Sequence, residues 1–430
     1  VHDLPSLLST ATTDVEKIKA GEPTFNAVTS DGKVSGRTWH HQPPAFNAIH
    51  PRVKRQVLAL VEELSTRYGQ SPALGGIALH LTKCQLLQLG GLDVSYDDWT
   101  VSEFEKDTGL RLPVDAQDPA RFRNRHDWLL ATAKDRWIQW RCAKIADYYG
   151  EAARILRSSR PDLQLVLSMW VPSLINSELR KRWEQGERLV VQTKEGGVDP
   201  ALFGRQPGVV IQKFMSATDH RWRMARTRPG PEAEKVALSI RAVDFDEDQL
   251  KDYQTTGQFG VYFHNRYFES GSSNKGEGLK WKPLKNDWYQ DPSWRGSAVV
   301  PAHDHFMEYY AHAMAVFDPT LIAIGGFTVG TVGHEQRVER FARVYRLLPP
   351  GNWESIPDLG RQVVGRTLRV DGRHYLYLVN RSASALQVAL RDSVAPRHMQ
   401  PLGSSPVLIR AGQGHEVTLE PYQLAAWMSD

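Results

Sequence analysis

Short, continuously apolar runs alternate along this chain with amphipathic helical stretches, and that alternation constrains the fold more than any other feature. The runs are Gly75-Gly76-Ile77-Ala78-Leu79-His80-Leu81, Leu163 to Met169, Leu189 to Gln192, Val209-Val210-Ile211-Gln212-Lys213-Phe214, Gly260-Val261-Tyr262-Phe263-His264 and Leu321-Ile322-Ala323-Ile324. Strands that lack polar alternation are buried on both faces, the signature of a parallel sheet covered by helices. Between them, Pro51 opens a helix with Val53, Val57, Leu60, Val61, Leu64 and Tyr68 on one face, and Gly69 stops it. Thr100-Val101-Ser102-Glu103 reads as a capping box for a second helix. A third is expected from about Trp128 to Leu156, and others from about Ser173 to Glu184 and from Phe306 to Val316.

From about Asn352 the pattern changes to the short strands Val363-Val364, Thr367 to Val370, Tyr375 to Asn380 and Leu386 to Leu390, with Asp371-Gly372 as a tight turn. That is the pattern of a small antiparallel sandwich. The expected architecture is therefore α/β: a (β/α)8 (TIM) barrel over residues 1–350, then a β-sandwich over residues 351–430. Only five or six barrel-type strands are legible, so the barrel is expected to lack its first strands in this chain, with Val1-His2 as the tail of an early one.

Charge and composition remove several function classes. With 53 Lys+Arg against 49 Asp+Glu among 430 residues the net charge is only +4, with the two signs interleaved. A nucleic-acid binder carries a concentrated basic stripe, so that class is set aside. No apolar run has the length of a membrane span, and Cys84 and Cys142 show neither disulfide-framework nor zinc spacing. They read as small buried residues. The informative excess is 13 Trp beside 14 Tyr and 14 Phe, because flat aromatic faces suit stacking on sugar rings in a concave site.

Catalytic side chains in a parallel barrel gather where the strand-to-helix loops converge, at the carboxyl ends of the strands. Two acidic segments lie after strand ends: Tyr96-Asp97-Asp98-Trp99, and His264-Asn265-Arg266-Tyr267-Phe268-Glu269. Glycosidic-bond hydrolysis needs one protonated carboxyl to donate to the leaving oxygen and one ionised carboxylate to attack or to activate water. Asp97, Asp98 and Glu269 are the candidates. Asp97 and Asp98 could instead favour the positive end of the following helix, and Glu269 could pair with Arg266. Tyr96, Trp99, His264, Asn265 and Tyr267 surround these acids in sequence as candidate substrate contacts, joined by Trp39 and His40. Trp281 and Trp288 crowd a Gly- and Ser-rich loop, where stacking on sugar is easier to explain than core packing. The run His220 to Arg228 is basic and aromatic, a candidate contact for anionic sugars or a solvated loop.

The passage Phe46-Asn47-Ala48-Ile49-His50-Pro51-Arg52-Val53, the Gly-Ile strand, the Ser95 to Asp98 loop and the Phe104…Thr108-Gly109 helix resemble bacterial glycosylhydrolase-like barrel proteins. The Trp137 to Arg141 helix and the closing Glu420-Pro421-Tyr422 fit the same layout, which is similar to the clan-A glycoside hydrolases, including family-42-type β-galactosidases. That resemblance implies an acid/base after the fourth strand and a nucleophile after the seventh. Counting back from Leu321 as strand eight assigns Asp97 or Asp98 to the acid/base position and Glu269 to the nucleophile. The implied carboxyl separation is about 5–5.5 Å, for retention of configuration. One departure stands out: clan-A enzymes carry Asn-Glu at the end of strand four, whereas this chain reads His80-Leu81-Thr82.

Three functional readings follow. The first is a glycoside hydrolase acting on an oligo- or polysaccharide, without cofactor. The second is a catalytically silent carbohydrate-binding protein on a hydrolase scaffold, which the missing Asn-Glu favours. The third is a metal-dependent hydrolase using His303 and His305, since His305, Glu308 and His312 share a helix face. No metal is assigned under the first reading. The expected partner is a carbohydrate, with no nucleic acid and no membrane; oligomeric state and compartment are left open.

Overall fold

The computed structural model of the chain describes residues 14–34, 46–81, 89, 91–169, 181–182, 185–216, 251–253, 259–265, 303–326, 333–396 and 398–430. The chain divides into two compact units, Val1–Lys213 and Phe214–Asp430.

The first unit holds α1 (Val15–Lys19), α2 (Pro51–Tyr68), β1 (Gly76–Leu81), α3 (Asp98–Thr108), α4 (Arg121–Thr132), α5 (Lys134–Ser159), β2 (Gln164–Met169), α6 (Leu189–Glu195), α7 (Pro200–Phe203) and most of β3 (Val209–Ser216). β1 pairs in parallel with β2, and β2 with β3. α5 is the organising helix: Trp137, Cys142, Ile145, Tyr149, Ala153 and Leu156 are buried along it. α2 meets α5 at a point of close approach, where Ser65 Oγ lies 2.6 Å from Ser159 Oγ. Gly69 is required there, because a Cβ on it would overlap the Ser65 carbonyl oxygen and lie 2.6 Å from Ser159 Cβ. The α2 face is accordingly rotated from the sequence expectation. Leu58 and Ser65 are buried, while Tyr68 is 53% exposed.

The second unit continues with β4 (Phe259–Asn265), α8 (Glu308–Phe317), β5 (Leu321–Gly326) and α9 (Glu335–Tyr345), β4 and β5 being parallel. The sandwich strands follow: β6 (Glu354–Ser355), β7 (Val363–Val370), β8 (Arg373–Asn380), β9 (Leu386–Arg391), β10 (Gln400–Pro401), β11 (Ile409–Ala411), β12 (Gly414–Leu419) and β13 (Leu424–Ser429). Asp371 and Gly372 both have positive φ, 52° and 78°, and join β7 to β8 through the Val370–Arg373 pair. This is the left-handed two-residue hairpin that an Asp-Gly dipeptide favours. One sheet runs β10-β13-β8-β7-β6 and the other β11-β12-β9.

The larger sheet is covered on both faces. Tyr377, Val379, Leu424 and Ala426 pack with Phe306, Tyr310, Met314, Phe341 and Val344 from the α8 and α9 region. The alternate residues Leu376, Leu378, Ala425 and Trp427 pack with Val388, Leu390, Val417 and Leu419 of the smaller sheet. Two-sided burial explains why β8 reads as an unbroken apolar run although it is antiparallel. The helices packed on this sheet precede residue 350, so the sandwich core draws on sequence from both sides of that expected boundary.

Within each unit the parallel strands are neighbours in chain order, β1-β2-β3 in the first and β4-β5 in the second, as expected for successive strands of a barrel. The fold class is α/β: a partial (β/α) barrel followed by an antiparallel sandwich. Among the described residues no helix is long and apolar enough to cross a membrane.

Three local expectations are corrected. The segment from Leu189 forms α6 and not a strand; its apolar run is too short for periodicity to separate the two. The long helix is broken at Ala133, whose φ of −139° ends α4 and starts α5. The helix read as opening at Thr100 starts at Asp98 with Asp97 as its cap. The expectation for Ser173 to Glu184 falls mostly outside the described residues, as does that for Val1-His2.

Candidate functional site

The start of α3 gathers Asp97 and Asp98 with partners from two other segments of the first unit, the Asn47 loop and α4. Asp97 is 1% exposed. Its carboxylate accepts from Thr100 N at 2.9 Å, Thr100 Oγ1 at 2.8 Å and Asn47 Nδ2 at 3.2 Å. A side-chain oxygen on the third amide of a helix is the standard N-cap interaction. Burial pushes the carboxyl up to about 6, despite the opposing hydrogen bonds from Thr100. Asp98, half exposed, takes a paired contact from Arg121 (Nε 2.8 Å, Nη2 3.0 Å) and another from Arg125 at 2.6 Å. Partial burial pushes Asp98 up, and the two guanidinium groups override it, holding the carboxyl below its usual range.

The neighbouring candidates divide. Tyr96 is enclosed in the core: its ring stacks on Trp137 at 6.1 Å, its hydroxyl donates to the Leu92 carbonyl, and burial pushes it up to about 12. Trp99 is partly exposed, 5.0 Å from the His50 ring. His50 caps α2 by accepting from Arg52 N at 3.3 Å, and burial, with help from Arg52, depresses it to about 4. The partly exposed Trp99 beside a neutral imidazole is thus the aromatic surface this segment offers.

Sequence reasoning missed the residues that hold the segment in place. Arg121 and Arg125, one turn apart on α4, reach Asp98; Arg121 also donates to the Lys19 and Ile18 carbonyls, and Arg125 to that of Tyr96. Arg141, fully buried on α5, donates to the carbonyls of Glu195 (2.9 Å) and Gly91 (3.0 Å). The available signal was an i, i+4 arginine pair after an acidic dipeptide, and an arginine on the apolar face of α5. Asn47 lay inside the family-like passage without a role.

At the strand ends, His264 and Asn265 close β4, with Cα partners Gly325 and Gly326 on β5. His303 opens the 3-10 turn His303–Met307 that leads into α8. Within that turn Asp304 is paired with Arg337 at 2.9 Å. Among the described residues no three His, Cys, Asp or Glu side chains gather to hold a metal ion. Cys142 is a buried free thiol, pushed up to about 12 by burial. Glu269, Tyr267, Trp39, His40, Trp281 and Trp288 lie outside the described residues, as do Cys84, the His220 to Arg228 run and the side chains of His264, Asn265, His303 and His305.

No protein-family model matches the chain, and no curated protein matches it. The chain is similar to several solved structures. The PgaB (BpsB) glycoside hydrolase domain from Bordetella bronchiseptica is 10% identical over 73% of this chain and 67% of that one, with a TM-score of 0.41. Eubacterium rectale Amy13B is 9% identical over 99% of this chain and 75% of that one, TM-score 0.37. The Nostoc punctiforme debranching enzyme is 12% identical over 93% of this chain and 65% of that one, TM-score 0.37.

Proposed function

We propose that the chain is a glycoside hydrolase acting on an oligo- or polysaccharide through two carboxylates. The observation that carries the proposal is the position of His264-Asn265 at the carboxyl end of a parallel strand, with Glu269 four residues further along the sequence. The carboxyl ends of parallel strands are where barrel loops converge and ligands bind. In this reading Glu269 attacks the anomeric carbon, and an acid of the Asp97-Asp98 pair donates to the leaving oxygen, then takes a proton from the incoming water. Trp99, with Trp281, Trp288 and Trp39, offers faces for the sugar rings.

A second reading is favoured by one specific observation. A general acid must be both reachable and protonated near neutral pH. Asp97 has the raised pKa but is enclosed by Asn47 and Thr100, while Asp98 is reachable but held ionised by Arg121 and Arg125. A chain whose aspartates serve only the loop would bind saccharide without turnover.

A screen of chromogenic glycosides and oligosaccharides with wild type, Glu269→Gln, Asp97→Asn and Asp98→Asn separates the two. Hydrolysis expects a loss of at least ~100-fold in Glu269→Gln, the scale of acid–base and covalent contributions. Saccharide binding without turnover in the wild type favours the second reading. Equal turnover in all four proteins would remove the two-carboxylate mechanism.

A further inference from the structure

Register across the first unit's parallel strands sets up a polar row that the proposed function does not use. Along one face Ala78, Val166 and Val210 are Cα partners, and two residues further toward the carboxyl ends come His80, Ser168 and Gln212. Positions two apart on a strand share a face, so an apolar row gives way to a polar one as the strands reach their loop ends. On the opposite face Leu79, Leu167 and Ile211 are in register, followed two residues on by Leu81, Met169 and Lys213.

The polar row is costly to the fold. Ser168 is 0% exposed, Gln212 4%, and among the described residues Ser168 Oγ has no hydrogen-bond partner. A buried hydroxyl left unpaired destabilises the folded state, and an alanine would fit the same position on a strand without that cost. Helix capping and ion pairing, which account for Asp97 and Asp98, do not apply to a neutral hydroxyl within a strand. The position, at the carboxyl ends of parallel strands, is where a ligand's polar groups would meet it.

We infer that the Ser168–Gln212 pair is a binding strip for saccharide hydroxyls, with Ser168 Oγ and the Gln212 amide as hydrogen-bonding groups. The inference rests on the carbohydrate reading of the preceding section and adds to it residues from the row. Hydroxyl and carboxamide groups both donate and accept, matching sugar hydroxyls, and neither carries a charge that an uncharged ring would have to desolvate. These are binding residues, distinct from the carboxylates that would carry bond cleavage.

The test uses Ser168→Ala and Gln212→Met in the full chain, with maltotriose, cellotriose and chitotriose as probes in titration calorimetry and thermal unfolding. Both variants are expected to bind the preferred trisaccharide about tenfold more weakly, the loss of one hydrogen bond to a buried partner. Without ligand, Ser168→Ala is expected to raise Tm by ~2–4 °C, since it removes an unpaired buried group. A fall in Tm for Ser168→Ala would mean that the hydroxyl is paired within the fold, and would overturn the inference without any ligand. A wild type that binds while both variants bind equally well overturns the row and leaves the glycosidase reading standing. A wild type that binds none of the three probes removes the carbohydrate reading and, with it, the ligand assigned to the row.

Discussion

Replacing Asp97 by Asn should change stability with a sign that depends on pH. The carboxyl of Asp97 rises from an ordinary 3.8 to about 6 in the folded chain because it is enclosed. A folded-state pKa above the unfolded value means that the folded chain binds the extra proton. The associated stability is fully present below pH ~4 and is lost as pH rises through about 6. A gap of about two units corresponds to about 3 kcal/mol. Asn cannot ionise, so the variant escapes this loss. It keeps an oxygen for Thr100 N, and its new amide group faces the Asn47 amide, which now donates to Asp97 at 3.2 Å. Losing that hydrogen bond costs about 1 kcal/mol. Asp97→Asn is therefore expected to be about 0.5 kcal/mol less stable than wild type at pH 4 and about 2 kcal/mol more stable at pH 7, crossing at pH ~4.5. Urea unfolding of both proteins at pH 4, 5, 6 and 7 reads this difference directly, and other titrating groups cancel in the comparison. A difference that stays flat with pH, or that moves against the variant as pH rises, would refute the argument that burial governs this carboxyl.

Arg141→Met keeps the length of the buried stem but removes the donors to the Glu195 and Gly91 carbonyls; unfolding should show a loss of about 2–4 kcal/mol. Gly69→Ala should destabilise by ~1–3 kcal/mol in the same assay, against the usual benefit of alanine near a helix end, because its Cβ lands on Ser65 and Ser159. In the second unit Tyr377→Phe removes a hydroxyl that donates to the Met314 carbonyl (3.2 Å) and to Asp318. Burial already raises the pKa of Asp318, and the Tyr377 hydroxyl opposes that rise. The variant should lose about 1–2 kcal/mol at pH 7 and less at pH 4, where Asp318 is more fully protonated, as denaturation at the two pH values would show.

Much of the fold was legible because period is a local property. The runs at Gly76, Leu163, Val209, Gly260 and Leu321 each became a parallel strand, and Asp371-Gly372 formed the hairpin its residues favour. The misread segments were ones where local pattern is ambiguous. Leu189 to Gln192 is too short to show a period, and Thr100-x-x-Glu103 mimicked a cap that Asp97 in fact supplies. Around Asp97 and Asp98 the sequence revealed the residue types but not their partners, because Asn47, Arg121 and Arg125 lie 50, 23 and 27 positions away from the aspartates they bind. Tyr96 reads as a cleft residue from its neighbours and is a core residue by its contacts.

By itself, then, the sequence determined the class of architecture: parallel α/β strands in chain order, then a sandwich. Hydrophobic period and turn chemistry act over a few residues and survive without tertiary context. Only the tertiary structure decided what each polar group does. Whether a carboxylate caps, pairs or stands free depends on its burial and on which distant donors reach it, and both are set by packing. Asp97 and Asp98, adjacent in the chain and alike in chemistry, are driven in opposite directions for that reason.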